Sequence, residues 1–293
     1  MLDPALISKI GSLELRARRI VEGTVVGRHS SPYHGFSIEF AEHRNYAPGD
    51  DPRYLDWKLH AKTDRFHLKQ FEEETNLAAH VLVDASESMR FQSEAAPWSK
   101  FEYARTLAAA AAHLVIRQRD AIGLAIFDSE IRTRLAPSSK RNHLKQVFQA
   151  LETQDPHGET STGSLLRELA GHAKQRGVVL LLSDLFDDPR EIDRGLRRLA
   201  HRRHDVRLVQ IVDPAEIDFP FDEATLFQGM ESDPDVTIDA GAIRKAYRQE
   251  FEAHRRAITA TCRDANIAYQ LARTTDPPDH VLRELLGRSR KSP

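Results

Sequence analysis

The chain has 293 residues, of which 40% are hydrophobic, and a formal net charge of −2 at pH 7. That length holds one large domain, or one domain and a small module, and the near-neutral charge gives no bulk attraction to nucleic acid or anionic lipid. Its one cysteine, Cys262, excludes an intrachain disulfide, and no apolar run approaches the roughly 20 residues of a spanning helix; the sequence therefore predicts a cytoplasmic protein with no integral membrane segment.

Residues 3 to 20 read as an amphipathic helix, with Leu6, Ile7, Ile10, Leu13 and Leu15 available for one face. Turn formers follow, and then Phe36, Ile38 and Phe40 alternate with Ser37 and Glu39 as a short strand. Pro48-Gly49-Asp50 is a turn signal, and Tyr54 to Trp57 and His67 to Phe71 look like two short extended pieces. The domain boundary falls at residue 76, so that residues 1–76 hold the helix and a small β-rich module.

From Leu77 the pattern becomes an alternation of strands and helices, which predicts a doubly wound, mostly parallel α/β sheet over residues 77–290. Leu77 to Val83 is an apolar run that suits a strand buried on both faces. A buried helix runs from Trp98 to Arg117, and Ile122 to Phe127 and Ile131 to Leu135 form a hairpin whose second member is an antiparallel edge strand. Leu144, Val147, Phe148 and Leu151 mark a helix, and another passes through Leu165, Leu166, Leu169 and Ala173, with Gly177 placed to stop it. Val178 to Leu182 is the most strand-like run in the chain. Helix 190–202, strand Val206 to Val212, a hairpin insertion over 215–240, a long helix to Ala265, strand Ile267 to Leu271 and a closing helix Val281 to Leu286 complete the domain.

Two strand ends carry the chemistry. The first runs into Asp84, Ser86 and Ser88 at alternate positions, and the strongest strand ends at Asp184. Open α/β sheets hold ligands outside the carboxyl ends of their strands. Carboxylates and hydroxyls offer only hard oxygen donors, which suits Mg²⁺, Mn²⁺ or Ca²⁺ rather than zinc or copper. The same residue types also serve as plain helix caps, so the reading depends on how many such donors share one edge. Thr160, in the loop that opens a helix, adds a fifth.

Asp84, Ser86, Ser88, Thr160 and Asp184, in that order, resemble the metal-ion-dependent adhesion site of von Willebrand factor A domains. The resemblance implies direct metal contacts from Ser86, Ser88 and Thr160, with Asp84 and Asp184 acting mainly through bound waters. Thr162 competes with Thr160 for its role, and Asp187 and Asp188 compete less well with Asp184. Upstream, R-x-Y-x-P-G-D-D-x-R-x-x-D-W from Arg44 to Trp57, A-x-T at 61 to 63 and F-E-E-E at 71 to 74 resemble the signature of the bacterial domain-of-unknown-function 58 family. That resemblance implies a von Willebrand A-like protein associated with MoxR-type AAA+ ATPases, acting in protein assembly or maturation.

Other features are weaker. Arg190, Arg194, Arg197, Arg198, Arg202 and Arg203 make a basic helix face, which is either solvated or a docking patch for an acidic partner. Arg44, Asp50, Asp51, Arg53 and Asp56 read as an ion-paired latch holding the module to the main domain, in preference to a catalytic cluster. No phosphate-binding glycine loop or nucleophile elbow occurs. The expected function is a metal-dependent protein-interaction module and not an enzyme; the alternative is a Mg²⁺-assisted hydrolase using the same site.

Overall fold

The computed structural model describes residues 2–25, 38–45, 57, 59, 66–73, 78–159, 162–172, 177–202, 204–221, 224–227 and 236–287. The chain divides into two compact units, Met1–Arg28 with Ala78–Pro293, and His29–Leu77.

The larger unit is built on a six-stranded sheet. Its strands are β3 (Ala78–Asp84), β4 (Ala121–Phe127), β5 (Ile131–Ser138), β6 (Gly177–Ser183), β7 (Asp205–Val212) and β10 (Ala268–Arg273), in the spatial order β10-β7-β6-β3-β4-β5. All neighbours are parallel except β5, which runs antiparallel to β4 at the edge. This is the doubly wound, mostly parallel fold with one antiparallel edge strand that the apolar runs predict.

Side chains alternate between the two faces of each strand. Val81 and Val83 join a core covered by α2 (Leu13–Val25), α3 (Lys100–Arg117), α4 (Arg141–Glu152) and α9 (Pro278–Gly287). Leu82 joins the opposite core, covered by α5 (Thr162–His172), α6 (Pro189–His201) and α8 (Ala240–Asp264). The chain leaves β3 towards β4 on one side and later returns to β6 on the other. The carboxyl ends of β3 and β6 therefore flank the topological switch point, the place where such sheets bind ligands.

Several boundaries differ from expectation. The amino-terminal helix belongs to the larger unit, not with the module, and it is two helices, α1 (Pro4–Ser8) and α2. Its buried face is Ile7, Leu13, Ala17, Ile20 and Val21, whereas Leu6 and Leu15 are exposed. Arg16 also pairs with Glu102 of α3 at 2.9 Å. A stripe this short cannot close a core of its own, so it completes the core of the sheet.

Gly177 does not cap a helix. It opens β6, where a Cβ would run into the Ala78 carbonyl of the neighbouring strand, so close backbone approach is its reason. The 215–240 insertion begins with a short helix, α7 (Pro214–Asp218), before its hairpin of β8 (Ala224–Phe227) and β9 (Val236–Asp239). In the smaller unit β1 (Ile38–Asn45) pairs antiparallel with β2 (His67–Glu73), and Trp57 has helical backbone where an extended piece was expected. Asp50, Asp51, Arg53 and Asp56 of the expected latch lie outside the described residues.

Candidate metal centre

Asp84 is the last residue of β3 and is fully buried. Beyond it the backbone turns at once: Ser86 N–H donates to Asp84 Oδ1 at 2.9 Å, and the Ser86 hydroxyl donates to the same oxygen at 2.7 Å. This is the local side-chain-to-backbone bonding that Asp and Ser favour at strand ends. A single 3₁₀ turn, Glu87–Arg90, follows and carries Ser88, whose Oγ lies 3.2 Å from that of Ser86.

A second segment fixes this loop from outside. His157 N–H donates to Ala85 O at 3.0 Å, and Glu87 N–H donates to Gly158 O at 2.9 Å. Gly158 has φ +79° and its Cα faces the Asp128 carboxylate, so only glycine suits the position. Arg132 ties Asp128 to the His157 carbonyl.

Asp184 follows β6 and is equally buried. Ser88 Oγ donates to its Oδ2 at 2.8 Å, which closes a bridge between the two strand ends. The next residue, Leu185, has φ +60°, a conformation that costs a branched side chain about 1–3 kcal/mol. It is held by burial of its side chain, by its N–H donating to Ser183 Oγ at 2.9 Å, and by His254 Nε2 donating to its carbonyl at 2.8 Å.

Three residues outside the expected set complete the network. Ser183 Oγ donates to Asp84 Oδ2 at 2.6 Å. The Lys100 ammonium, 1% exposed, donates to Asp184 Oδ2 at 2.8 Å and to Glu216 Oε1 at 2.5 Å. Glu216 Oε2 in turn accepts from Asp213 N–H at 2.7 Å in the capping box of α7.

The electrostatics follow from burial. Desolvation, reinforced by the charge of Asp184, pushes the Asp84 carboxyl up to about 7, against the pull of hydrogen bonds from Ser183 and Ser86. Burial works to lower the pKa of the Lys100 ammonium, but Asp184 and Glu216 together outweigh it and raise it above the ordinary lysine range. Burial also raises Glu216, which Lys100 opposes.

This donor set suits a hard divalent cation. Adjacent ligands of an octahedral Mg²⁺ shell stand about 3 Å apart, by geometry from the usual metal–oxygen distance. The Ser86–Ser88 and Ser88–Asp184 oxygens, at 3.2 and 2.8 Å, already have that spacing. Among the described residues no three His, Cys, Asp or Glu side chains gather into a metal cluster. Thr160 lies outside the described residues. Thr162, its competitor, begins α5 with its hydroxyl buried and without a hydrogen-bond partner among the described residues. Asp187 and Asp188 are engaged elsewhere: Asp187 Oδ2 accepts from Gly163 N–H at 3.0 Å, and Asp188 caps α6.

A family model described as "Protein of unknown function DUF58" matches residues 42–257. The chain belongs to this family. This DUF58 protein is 29% identical to an uncharacterised protein of Mycobacterium tuberculosis over 266 residues, which cover 89% of this chain and 82% of the relative. Its fold is similar to that of the conserved hypothetical protein BatB from Bacteroides thetaiotaomicron, with TM-score 0.50 and 14% identity over 74% of this chain and 100% of the other. The von Willebrand A domain of SpRpn10 matches with TM-score 0.42 and 15% identity, covering 73% of this chain and 95% of that one.

The fold shared with BatB is a mostly parallel α/β sheet covered by helices on both faces. Among the described residues of the DUF58 chain, no helix is long and apolar enough to cross a membrane.

Proposed function

We propose that this protein is a metal-dependent protein-interaction module. Asp84, Ser86, Ser88 and Asp184, with Thr160 as the fifth donor, hold one divalent ion of the Mg²⁺ class; Mn²⁺ or Ca²⁺ can stand in. The observation that carries the reading is the run of neighbouring oxygens from Asp84 through Ser86 and Ser88 to Asp184, which joins two strand ends at the switch point of the sheet.

The bound ion supplies an electrophilic coordination position that a carboxylate from another protein can complete. The residues of this chain orient that position. Ser183 and the Ser86 backbone N–H hold the Asp84 carboxylate, while the Arg132–Asp128–Gly158 strap holds the serine loop. Neutral hydroxyls as direct ligands leave the ion short of negative charge, which favours an acidic partner.

The partner we favour is a MoxR-type AAA+ ATPase or its client, in protein assembly or maturation, and the cytoplasmic setting belongs to the same proposal. The reading is non-enzymatic. The candidate side chains are already engaged with one another, an arrangement suited to holding an ion rather than to activating a nucleophile.

Co-purification from native extract in Mg²⁺ and in chelator tests this. The expected result is an AAA+ ATPase or its client recovered in Mg²⁺, and lost both in chelator and with Ser88→Ala. Equal recovery in chelator, abolished instead by changing Arg194, Arg198 and Arg202 to Ala, would transfer the docking role to the basic face of α6, which is exposed at all three positions. Turnover of phosphoester or peptide substrates that needs Asp84 would decide for a hydrolase.

A further inference from the structure

Lys100 is out of place by ordinary helix rules. It is the first residue of α3, at the positive end of the helix dipole, where a cation is disfavoured. It is also 1% exposed, whereas lysine is almost never fully buried unless paired. Side chains on a helix lean towards its amino terminus, so this position delivers the ammonium to the strand ends.

Its partners are not spare carboxylates. Asp184 Oδ2 accepts from Lys100 Nζ at 2.8 Å and from Ser88 Oγ at 2.8 Å. The oxygen that faces the serine loop therefore already faces a full positive charge. Glu216 Oε1 takes a second Lys100 bond at 2.5 Å, and the Phe186 ring lies 4.8 Å beneath the ammonium. Three groups from two segments surround the cation: Asp184 and Phe186 from the loop after β6, and Glu216 from α7.

We propose that Lys100 is a built-in counter-cation that competes with the divalent ion for Asp184 and so keeps the affinity of the site low. This rests on the metal-site reading above and adds its regulation. With Asp84, Asp184 and Glu216 ionised against one ammonium, the formal charge around the site is two negatives. Replacing the ammonium by an apolar chain of similar length makes it three and frees Asp184 Oδ2. Charges a few ångströms apart in a partly desolvated site interact strongly, so the change should raise ion affinity by at least about tenfold. Removing the Glu216 charge acts in the opposite sense, because it leaves the ammonium to Asp184 alone. A lysine that served only to fasten α3 to α7 would give no such pair of opposite effects; both variants would loosen the site and weaken binding.

The experiment is a Mn²⁺ titration, by calorimetry and by loss of the free-ion paramagnetic resonance signal, on the full chain and on Lys100→Met and Glu216→Gln, with circular dichroism to confirm folding. The expected result is binding at least about tenfold tighter for Lys100→Met and several-fold weaker for Glu216→Gln. Binding by Lys100→Met alone, with none by the wild type, also supports the proposal, since the ammonium then stands fully in the place of the ion. A folded Lys100→Met that binds no more tightly than a wild type that does bind overturns it, while the metal-site reading stands. No binding by any of the three removes both. Should Lys100→Met fail to fold, Glu216→Gln decides alone, and unchanged or tighter binding there overturns the proposal.

Discussion

Asp84 and Asp184 end neighbouring strands, both are fully buried, and in the linear motif they are equivalent acidic ligands. Their surroundings differ. Around Asp84 every hydrogen-bond partner among the described residues is neutral: the Ser86 N–H, the Ser86 hydroxyl and the Ser183 hydroxyl. Around Asp184 the principal partner is a buried ammonium, shared with Glu216. One carboxylate is thus held by donor dipoles alone, which favour its ionised form against burial. The other belongs to an ion network that cannot lose a member without stranding the rest. A motif reports residue types; the division of labour between them is set by which helix end and which turn the fold brings alongside.

The sharpest way to break the comparison is to remove each charge in turn from metal-free protein. Asp184→Asn leaves Lys100 buried with Glu216 alone and should cost about 3–5 kcal/mol, the usual penalty for breaking a buried pair from one side. Asp84→Asn keeps its acceptor oxygen for one hydroxyl and should cost only about 1 kcal/mol. Urea unfolding in chelator measures both, and equal losses would dissolve the distinction.

How far this was legible in the sequence follows from what each residue does. β3, β4, β6 and β7 are short runs buried on both faces, so their apolar letters announce them. Asp84, Ser86, Ser88 and Asp184 stand directly at the ends of such runs and are found by looking there. Lys100 was missed because W-S-K-F-E reads as a helix start; the available signal was a cation in the first turn, against the dipole. Glu216 was missed with α7, although Asp213-Pro214-Ala215-Glu216 carries a capping box. The amino-terminal helix was assigned to the module because proximity in sequence was the only guide. Its true partners, Glu102 and Asp279, are 86 and 277 residues from Arg16 and Leu2, which no local pattern reports.

The second test is pH. The Asp84 carboxyl is raised from 3.8 to about 7, chiefly by burial. For a raised acid the folded state is favoured fully below the unfolded value, and that advantage is lost as pH climbs through the folded value. Metal-free protein should therefore lose stability between pH 4 and 7, by an amount on the order of a few kcal/mol. Asp84→Asn should flatten most of the slope and leave a remainder from Glu216, which is raised in the same sense. A slope equally steep in the variant would show that Asp84 does not titrate there. Saturating Mg²⁺ should also flatten the slope in the wild type, since an ion at this site favours the ionised carboxylate.

Ser183 offers the smallest and most specific test, because it is the one side chain that bonds the Asp84 carboxylate from the other strand. Its hydroxyl is fully buried, donates to Asp84 Oδ2 at 2.6 Å and accepts from Leu185 N–H at 2.9 Å. It sits on the residue before Asp184, so it links the neutral pocket to the charged one without contributing a charge to either. Ser183→Ala should cost about 1 kcal/mol of stability, the net worth of one hydrogen bond. The bond favours ionised Asp84, so its loss strengthens the proton as a competitor of the metal. Mn²⁺ binding near pH 7 should weaken several-fold, the equivalent of about 1 kcal/mol, and the gap should close towards pH 9, where Asp84 is ionised with or without the bond. A gap that stays constant with pH would mean that Ser183 acts by aiming the carboxylate rather than by holding its charge, and the two strand ends would then differ in geometry as well as in electrostatics.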